Sequence, residues 1–303
     1  MKEEKLEVAV IGALNIDITG AANVPFTSGD SLPGEVSYAT GGVGWNIARD
    51  AALLGARTGF FSVFGADGYE PLIRADAAAC GVDIGRCRWE PVANCSYLCI
   101  LDADGNMTAA VNDMKLSRRM DSFFVKEAAR GMREAKVAAA ECNLQADALR
   151  RLTEELDGTP IVADCVSAAK CMRLEALLPR IHTLKANLLE AERLTGYAGA
   201  ERCATALLKK GVQRVCVTLG AEGMLLAEAD DMVRLPSAVT GTVVSSTGAG
   251  DAMTAALAVS LARGLDLERS ARLATAAAAV ATHCRAAVNP ELSRLREHAG
   301  ARR

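Results

Sequence analysis

Short runs of apolar and β-branched residues alternate with longer segments of helical periodicity along most of the chain. The run at 6–12 predicts a first, buried strand, and residues 46–54, followed by Gly55, have the spacing of a helix and its C-terminal cap. Further predicted strands are 58–64, 137–140, 161–164, 182–185 and 214–219. This alternation predicts an α/β fold in which helices cover a mainly parallel sheet.

Two stretches depart from this alternation. Residues 14–40 are polar and contain Gly and Pro, and their short apolar pieces predict irregular or edge strands rather than a helix. Residues 96–101 and 108–111 predict a hairpin around a turn-rich connection. We therefore predict a small β-subdomain made of residues 14–40 and 95–113. The remaining residues would form one α/β core, made of 1–13, 41–94 and 114–303.

Composition and charge narrow the class of protein. Of 303 residues, 50% are hydrophobic and 23% are charged, which is typical of a folded globular chain. The formal charge of −3 argues against nucleic acid or an anionic membrane as a partner. No apolar stretch approaches the ~20 residues of a membrane span, and the N-terminus does not resemble a signal peptide. We therefore expect a cytoplasmic protein.

The cysteine pattern indicates neither a metal site nor a disulfide framework. The ten cysteines are scattered without a Cys-x-x-Cys pair, and the three histidines are far apart in the sequence. Metal sites require clustered ligands, and disulfide scaffolds are much shorter than this chain. We expect reduced and mostly buried thiols.

Residues 245–257 (Ser-Ser-Thr-Gly-Ala-Gly-Asp-Ala-Met-Thr-Ala-Ala-Leu) carry the most informative chemistry. The small residues Gly248, Ala249 and Gly250 allow the backbone to approach a ligand, and the Ala-rich continuation predicts a helix. The first N–H groups of such a helix lack helical acceptors and, with the helix dipole, suit an anion. Asp251 could act as a base beside that anion or could only cap the helix, and the local sequence favours neither.

A second glycine-rich turn lies at 41–44 (Gly-Gly-Val-Gly) and opens another predicted helix. Three glycines in four residues exceed what a flexible turn requires, so we expect close approach to a substrate. The segment is not a dinucleotide fingerprint, because no Gly or Ala stands three residues after Gly44, and residues 12–14 fail at the second glycine. No Gly-Lys dipeptide occurs, which excludes a Walker A loop.

Two further segments are ambiguous when taken alone. Thr218, Gly220 and Gly223 follow a predicted strand at the sheet edge where ligands bind, but an ordinary strand-to-hairpin turn fits as well. Asn187 and Glu190 are three residues apart, hence on one helical face, and could orient water molecules around Mg²⁺. A solvated helix face is the common alternative for this pair.

Taken in this order and spacing, the segments resemble the ribokinase-like (PfkB) family of carbohydrate and nucleoside kinases. The family's two signature regions correspond to residues 41–67 and 245–258, and the resemblance extends over nearly the whole chain. Within the family, the chain is most similar to the pseudouridine kinases. The runs that carry this similarity are 41–44, 46–48, 111–114, 164–171 and 182–187.

The resemblance implies a three-layer α/β/α ribokinase-like core, a mainly parallel sheet, and a small β-lid formed by the two departing stretches. It implies transfer of the γ-phosphoryl group of ATP to a primary sugar hydroxyl with Mg²⁺, and hence production of pseudouridine 5′-phosphate. It also implies a homodimer formed through the lid. Many relatives have Asp where this chain has Ser245, at a position tied to monovalent cations, so a K⁺ requirement stays open.

The same resemblance implies roles for individual residues. Asp251 would be the catalytic base, and the anion hole would be formed by Gly248, Ala249 and Gly250. The acceptor substrate would be held by Asn15, Asp17, Gly41, Gly42 and Asn46. ATP would be bound by Asn187, Thr218, Gly220 and Gly223, and Glu190 would organise the metal. Further contacts to the base or sugar are assigned to Asn112, in the lid, and Asn143, at a strand end.

Three other hypotheses are weighed against this one. The acceptor could be another nucleoside or a free sugar, such as adenosine or ribose, since Trp45 stands where comparable pseudouridine kinases have Arg. A non-catalytic nucleoside-binding relative is disfavoured by the intact segment 248–251 and by the Asn187/Glu190 pair. An NAD-dependent oxidoreductase is disfavoured by the failed glycine patterns.

Aromatic residues make up only 4% of the chain, and several fall in or near the predicted lid. These are Phe26, Tyr38 and Tyr97, with Trp45 at the edge. We hypothesise that they cover the base of a nucleoside.

Overall fold

The computed structural model describes residues 5–300, in which short strands and helices alternate. The first part contains β1 (Val8–Ile11), β2 (Asn15–Ala22), β3 (Gly34–Gly41), α1 (Val43–Leu53), β4 (Thr58–Phe61), β5 (Val63–Gly65), α2 (Glu70–Cys80), β6 (Val82–Asp83) and β7 (Arg88–Glu90). The middle contains β8 (Ser96–Leu101), β9 (Met107–Asp113), α3 (Ser122–Met132), β10 (Val137–Glu141), α4 (Ala146–Glu155) and β11 (Ile161–Asp164). The last part contains β12 (Thr183–Asn187), α5 (Leu188–Thr195), α6 (Ala200–Lys209), β13 (Arg214–Thr218), β14 (Met224–Glu228), β15 (Asp231–Leu235), α7 (Ala249–Ala262) and α8 (Leu267–Ala281).

A nine-stranded sheet forms the centre of the protein, in the order β15-β14-β13-β12-β11-β10-β1-β4-β6. Neighbouring strands from β13 to β6 pair parallel, and β14 pairs antiparallel with both β13 and β15 at one edge. Side chains alternate between the two faces along each strand, so Ala9 and Ile11 enter one buried cluster while Val8 and Val10 enter the other. The mainly parallel α/β fold is therefore confirmed.

The helices divide between the two faces of this sheet. Helices α3, α4, α5 and α6 contribute to one hydrophobic cluster, and α1, α2, α7 and α8 contribute to the other. The resulting arrangement is the expected three-layer α/β/α core, in which both faces of the parallel sheet are covered. Because parallel strands all end at the same edge, loops after β1, β10, β11, β12 and β13 meet there.

Most of the predicted elements are present with small differences at their ends. Helix α1 begins at Val43, three residues before the predicted start, because Gly42 forms its N-cap at a φ of 104°. The predicted strand 58–64 is divided at Ser62 into β4 and β5. The division arises because β4 pairs within the central sheet whereas β5 leaves it to pair with β7.

A second sheet of four strands, here called the lid sheet, has the order β3-β2-β8-β9. The predicted hairpin is confirmed, since β8 and β9 pair antiparallel, and β2 pairs antiparallel with β3 and parallel with β8. Asp17, Tyr97 and Asn112 form one register row across three of its strands. The next row contains Tyr38, Ile18, Leu98 and Val111, and therefore faces the opposite side.

The cysteines are free thiols, as expected, and six of the ten are buried. Burial raises the pKa of several of them, including Cys142 and Cys165, which keeps these groups protonated and unreactive. Within residues 5–300, no helix combines the length and the apolar character that crossing a membrane requires.

Candidate active site

The N-terminus of α7 lies at the sheet edge where the parallel strands end. Its N-cap, Gly248, has a φ of 83°, and a Cβ at this position would overlap the carbonyl oxygen of Ala287. The first helical hydrogen bond runs from Ala252 N–H to the Gly248 carbonyl at 2.9 Å. The preceding N–H groups, at Ala249, Gly250 and Asp251, are therefore outside the helical ladder. Ala249 N–H donates to the carbonyl of Ser246 at 3.4 Å, and the N–H groups of Gly250 and Asp251 form a cradle suited to an anion.

Asp251 is in the first turn of α7 and contacts a different helix. Its Oδ2 accepts a hydrogen bond of 2.8 Å from Nδ2 of Asn46 in α1. The N-cap of α7 is Gly248 and no side chain caps the helix, so the interpretation of Asp251 as only a cap is wrong. Burial, together with the negative charge of Asp164, raises the pKa of Asp251 to about 7. Such a group can accept a proton near neutral pH.

A buried ion pair lies directly beneath the glycine loop. Lys185 in β12 places its Nζ 3.2 Å from Oδ2 of Asp164 in β11. A Cβ built on Gly250 would lie 2.8 Å from the same Nζ, so the ammonium group is adjacent to the anion cradle. Thr254 of α7 donates to Asp164 at 2.6 Å and thereby ties the helix to the sheet.

Lys185 and Asp164 are not among the residues predicted from the sequence, although both lie in runs that carry the family resemblance. The signal that could have identified them is a charged residue inside a strand that is otherwise apolar. Lys, Asp and Glu are almost never fully buried unless they are paired. Asp164 is 1% exposed and Lys185 is 8% exposed.

Asn15, Asp17, Gly41 and Gly42 come together where β2 and β3 meet the core, and we call them the β2–β3 cluster. Asn15 pairs with Gly41 in the lid sheet and donates from Nδ2 to Oδ1 of Asp17 at 2.5 Å. A Cβ at Gly41 would overlap the Asp17 carboxylate, so glycine is required for this approach. Burial raises the pKa of Asp17. The cluster adjoins Asn46 at the start of α1, since Asn46 N–H donates to the carbonyl of Gly42 at 2.8 Å. The Asn46 side chain in turn contacts Asp251.

The two remaining residues assigned to the acceptor are placed differently. Asn112 is on the same face of the lid sheet as Asp17, two strands away. Asn143 follows β10 at the sheet edge, and its Oδ1 accepts a 2.6 Å hydrogen bond from Nζ of Lys170. Neither Asn112 nor Asn143 has a hydrogen bond to the β2–β3 cluster in the part of the chain that the structure describes.

The aromatic hypothesis is wrong for Trp45. Its ring is fully buried against Phe60 at a centroid distance of 5.1 Å, and its Nε1 donates to Oγ1 of Thr40 at 3.0 Å. Tyr38 lies on the face of the lid sheet opposite Asp17, with its ring 5.8 Å from that of Tyr69. Tyr97, in contrast, shares the face of Asp17.

Three of the residues assigned to ATP line one cavity of about 470 Å³. These are Asn187, Thr218 and Gly220. The start of α6 and Arg234 complete the same cavity. Gly223 is outside this lining and lies in the β13–β14 turn, where its φ of 98° and the nearby Leu235 carbonyl require glycine.

Asn187 and Glu190 form a capping box at the start of α5 rather than a pair on one helical face. Asn187 is the N-cap, and its Oδ1 accepts from Glu190 N–H at 2.9 Å. Glu190 accepts from the Asn187 N–H at 2.8 Å and from its Nδ2 at 3.0 Å. Both carboxylate oxygens are therefore already hydrogen-bonded, and the side chain is buried.

The side chains near the cradle could hold a metal ion only indirectly, through water molecules. Among residues 5–300, no group of three or more His, Cys, Asp or Glu side chains is arranged to hold a metal ion. Mg²⁺ keeps several water ligands and is usually bound through one or two carboxylates and substrate phosphates. Because both oxygens of Glu190 are already hydrogen-bonded and the side chain is buried, Glu190 is not placed to ligate the ion directly, and only a contact through water is open to it.

The chain is similar to known kinases over nearly its whole length. The sequence model described as "pfkB family carbohydrate kinase" matches residues 5–294. The pseudouridine kinase of Escherichia coli (strain K12) is 34% identical over 296 residues, which cover 96% of this chain and 95% of that protein. An uncharacterized sugar kinase of the same organism is 35% identical over 290 residues, covering 94% of this chain and 80% of that protein.

A solved structure shows the same fold. The ribokinase of Arabidopsis thaliana, complexed with ribose and ATP, superposes with a TM-score of 0.81 at 23% identity, covering 98% of this chain and 99% of that one. This likeness agrees with the mainly parallel central sheet and the helices that cover it. The chain therefore belongs to the pfkB family of carbohydrate kinases, whose ribokinase-like members are phosphotransferases acting on sugar or nucleoside hydroxyls.

Proposed function

We propose that the protein is an ATP-dependent kinase that phosphorylates the 5′-hydroxyl of pseudouridine to give pseudouridine 5′-phosphate. The observation that carries the proposal is the contact between Asn46 and Asp251, 2.8 Å from Nδ2 to Oδ2. It joins a polar cluster able to hold sugar hydroxyls to a carboxylate beside an anion cradle. An acceptor hydroxyl and a phosphoryl group can therefore meet at Asp251.

Asp251 would act as the catalytic base in this reaction. Phosphoryl transfer passes through a loose transition state, so positioning and charge neutralisation contribute more than a strong base. The carboxylate accepts the hydroxyl proton as the new oxygen–phosphorus bond forms and the bond to the leaving diphosphate breaks. A pKa of about 7 brings Asp251 closer to the ideal for such a transfer than the usual value of an aspartate.

The anion cradle and Lys185 would receive the transferred phosphoryl group. The N–H groups of Gly250 and Asp251 supply hydrogen-bond donors without reorganisation, as an oxyanion hole does. Lys185 adds a full positive charge next to Gly250. Bound Mg²⁺ would neutralise charge on the phosphates of ATP, and Glu190 would contribute to holding it through water.

The rest of ATP would occupy the cavity of about 470 Å³ that Asn187, Thr218 and Gly220 line. This cavity is next to the end of β12, the strand that carries Lys185. The nucleotide would thus approach from one side of Lys185, and the acceptor from the side of Asn46. Roles for Gly223 in this site would be limited to the shape of the β13–β14 turn.

Pseudouridine is proposed as the acceptor because of the similarity to the pseudouridine kinase of Escherichia coli. The lid sheet supports a nucleoside, since Tyr97 and Asn112 share the face of Asp17. An aromatic ring offers a stacking surface for a base, and an amide can both donate to and accept from a pyrimidine edge. A free sugar would leave these side chains without a contact.

An acceptor panel with ATP and Mg²⁺ tests the proposal. Pseudouridine, uridine, adenosine and ribose would be compared by kcat/KM, in buffers that contain either Na⁺ or K⁺. We expect pseudouridine to be the best acceptor. Faster turnover of ribose or adenosine would replace the proposed acceptor, and the absence of turnover with every acceptor would favour a nucleoside-binding protein without catalysis.

We further propose that the protein forms a homodimer through the lid sheet. Tyr38 and Val111 lie in one register row on the face opposite Asp17, and they are 53% and 68% exposed. Exposed apolar patches of this kind mark interaction surfaces. Analytical ultracentrifugation should show a dimer that Val111→Glu converts to a monomer. A monomeric wild-type protein would contradict the proposal.

A further inference from the structure

Asn46 is held from behind by a buried arginine. Arg49, one turn along α1, donates from Nη2 to Oδ1 of Asn46 at 2.8 Å. Its Nη1 forms an ion pair with Oδ2 of Asp76 in α2, also at 2.8 Å. The Arg49 side chain is only 10% exposed, so water competes little for these contacts.

The same arginine also reaches the lid sheet. Nη2 of Arg49 donates to the backbone carbonyl of Thr40 in β3 at 3.1 Å. Oγ1 of Thr40 donates to Oδ2 of Asp76, and Nε1 of Trp45 donates to that same oxygen at 3.0 Å. A single carboxylate thus joins β3, α1 and α2 immediately behind the site. This network accounts for the burial of Trp45.

The chemistry of these groups determines the orientation of the Asn46 amide. A guanidinium group can only donate hydrogen bonds, so the atom of Asn46 that meets Arg49 must be the carbonyl oxygen. The amide nitrogen then has to point the other way, where it donates to Asp251. Without Arg49, the Asn46 carbonyl oxygen would lose its donor, and the amide would be free to change its orientation relative to Asp251.

We propose that Arg49, oriented by Asp76, is a positioning residue that holds the Asn46 amide with its N–H directed at Asp251, and thereby keeps the Asp251 carboxylate aimed at the acceptor. The proposal rests on the proposed kinase function for its catalytic consequence. Its structural part, the control of Asp251 through Asn46, does not depend on which acceptor is used.

Charged groups from three elements face Asp251. Helix α1 contributes Arg49 and the fully buried Asp50, β11 contributes Asp164, and β12 contributes Lys185. Asp164 favours the protonated form of Asp251, and Lys185 and Arg49 favour the ionised form. Burial and the charge of Asp251 raise the pKa of Asp50 well above its usual value. Loss of Arg49 removes a positive charge and releases the Asn46 N–H. Both changes raise the pKa of Asp251.

The test compares the pH dependence of kcat in wild type and in Arg49→Met. At pH 7 we expect kcat to fall roughly 10- to 100-fold, because a misplaced reacting group has effects of that size. The acid limb of the profile should move up by about one pH unit, so that part of the activity returns near pH 9. KM for ATP should stay within about 2-fold of wild type, since the Arg49→Met substitution should not alter the contacts that bind ATP.

Arg49→Lys and Asp76→Asn extend the test if Arg49→Met does not fold. Lysine keeps the positive charge but lacks the planar set of N–H donors of a guanidinium group. Asp76→Asn leaves Arg49 charged but poorly oriented. Each should move the acid limb in the same direction by a smaller amount. Profiles that coincide with the wild-type limb in these variants would overturn the proposal.

Arg263→Met is a matched control. Arg263 is equally buried, pairs with Glu7 at 3.5 Å, and donates to the carbonyl of Gly55 just beyond the far end of α1. Its loss should lower the thermal stability while leaving the acid limb where it is in wild type. A limb that moves as far in Arg263→Met as in Arg49→Met would indicate only a general loss of packing.

A titration without substrate separates this proposal from the kinase proposal. The ¹³C signal of the Asp251 carboxyl, assigned by its loss in Asp251→Asn, can be followed against pH in wild type and Arg49→Met. We expect a higher pKa in the variant, and an unchanged pKa would overturn the positioning role. A raised pKa in a protein that phosphorylates no acceptor would contradict the kinase function alone.

Discussion

The ammonium of Lys185 lies 3.2 Å from the carboxylate of Asp164, on a neighbouring strand directly beneath the loop that begins α7. Although burial opposes the charged form, Asp164, Asp251 and Glu190 raise the pKa of Lys185 above its usual value. Lys185 is therefore a cation at neutral pH. It supplies positive charge at the point where the cradle of N–H groups opens.

We expect Lys185→Met to lower kcat roughly 10²- to 10³-fold, the effect of removing one preorganised electrostatic contact from a transition state. The variant should also lose about 3–5 kcal/mol of stability, because Asp164 is left buried and unpaired. Steady-state kinetics and chemical denaturation measure the two effects.

The double variant Lys185→Met/Asp164→Asn separates the effects on stability and catalysis. Removing the second charge should restore much of the stability, since no unpaired ion is then buried. Catalysis should stay low, because the charge beside Gly250 is still absent. Recovery of wild-type kcat in the double variant would show that Lys185 has a structural role alone.

Asp251→Asn should lower kcat roughly 10²- to 10⁴-fold with a smaller effect on the KM of either substrate. An asparagine still accepts the hydrogen bond from Asn46 but cannot take the proton of the acceptor hydroxyl. The comparison requires only initial rates at saturating ATP. Near-full turnover in this variant would remove Asp251 from the mechanism.

The same substitution should change the pH dependence of stability. Because the folded-state pKa of Asp251 is about 7, above the ~3.9 of an unfolded aspartate, the wild-type protein loses stability as pH rises from about 4 to 7. Asp251→Asn removes this loss. The variant should therefore be more stable than wild type at pH 8, by at most about 4 kcal/mol. Urea denaturation at pH 5 and pH 8 should show the difference growing with pH, and a difference that shrinks with pH would contradict the assignment.

Gly248→Ala should damage both stability and nucleotide use. Its φ of 83° is unfavourable for alanine, and the added Cβ would overlap the Ala287 carbonyl oxygen, so the start of α7 must shift. We expect the free energy of unfolding to fall by about 1–3 kcal/mol or more, and the KM for ATP to rise. Gly264→Ala is the control, because Gly264 also has a positive φ, of 65°, but nothing lies within 4 Å of its Cβ position. Equal effects of both substitutions on the KM for ATP would contradict a special role for the loop.

Local pattern was sufficient for much of the fold. The strand at 161–164 is present with the predicted bounds, and the hairpin of β8 and β9 lies where turn residues separate two apolar runs. Both features depend on neighbours in the chain, so spacing and propensity reveal them. The division of the strand 58–64 was not predictable, because it depends on β5 pairing with the distant β7.

For the candidate site, the sequence by itself determined the glycine turns, the helix that contains Asp251 and the family, because each of these depends on short runs of consecutive residues. Only the tertiary structure decided that Asn46 meets Asp251 across 205 positions, that Arg49 and Asp76 orient that contact, and that Lys185 lies under Gly250. It also decided that Trp45 is a core residue. Hydrogen bonds and ion pairs of buried groups depend on distance in space and on exclusion of water, and neither is set by spacing along the chain.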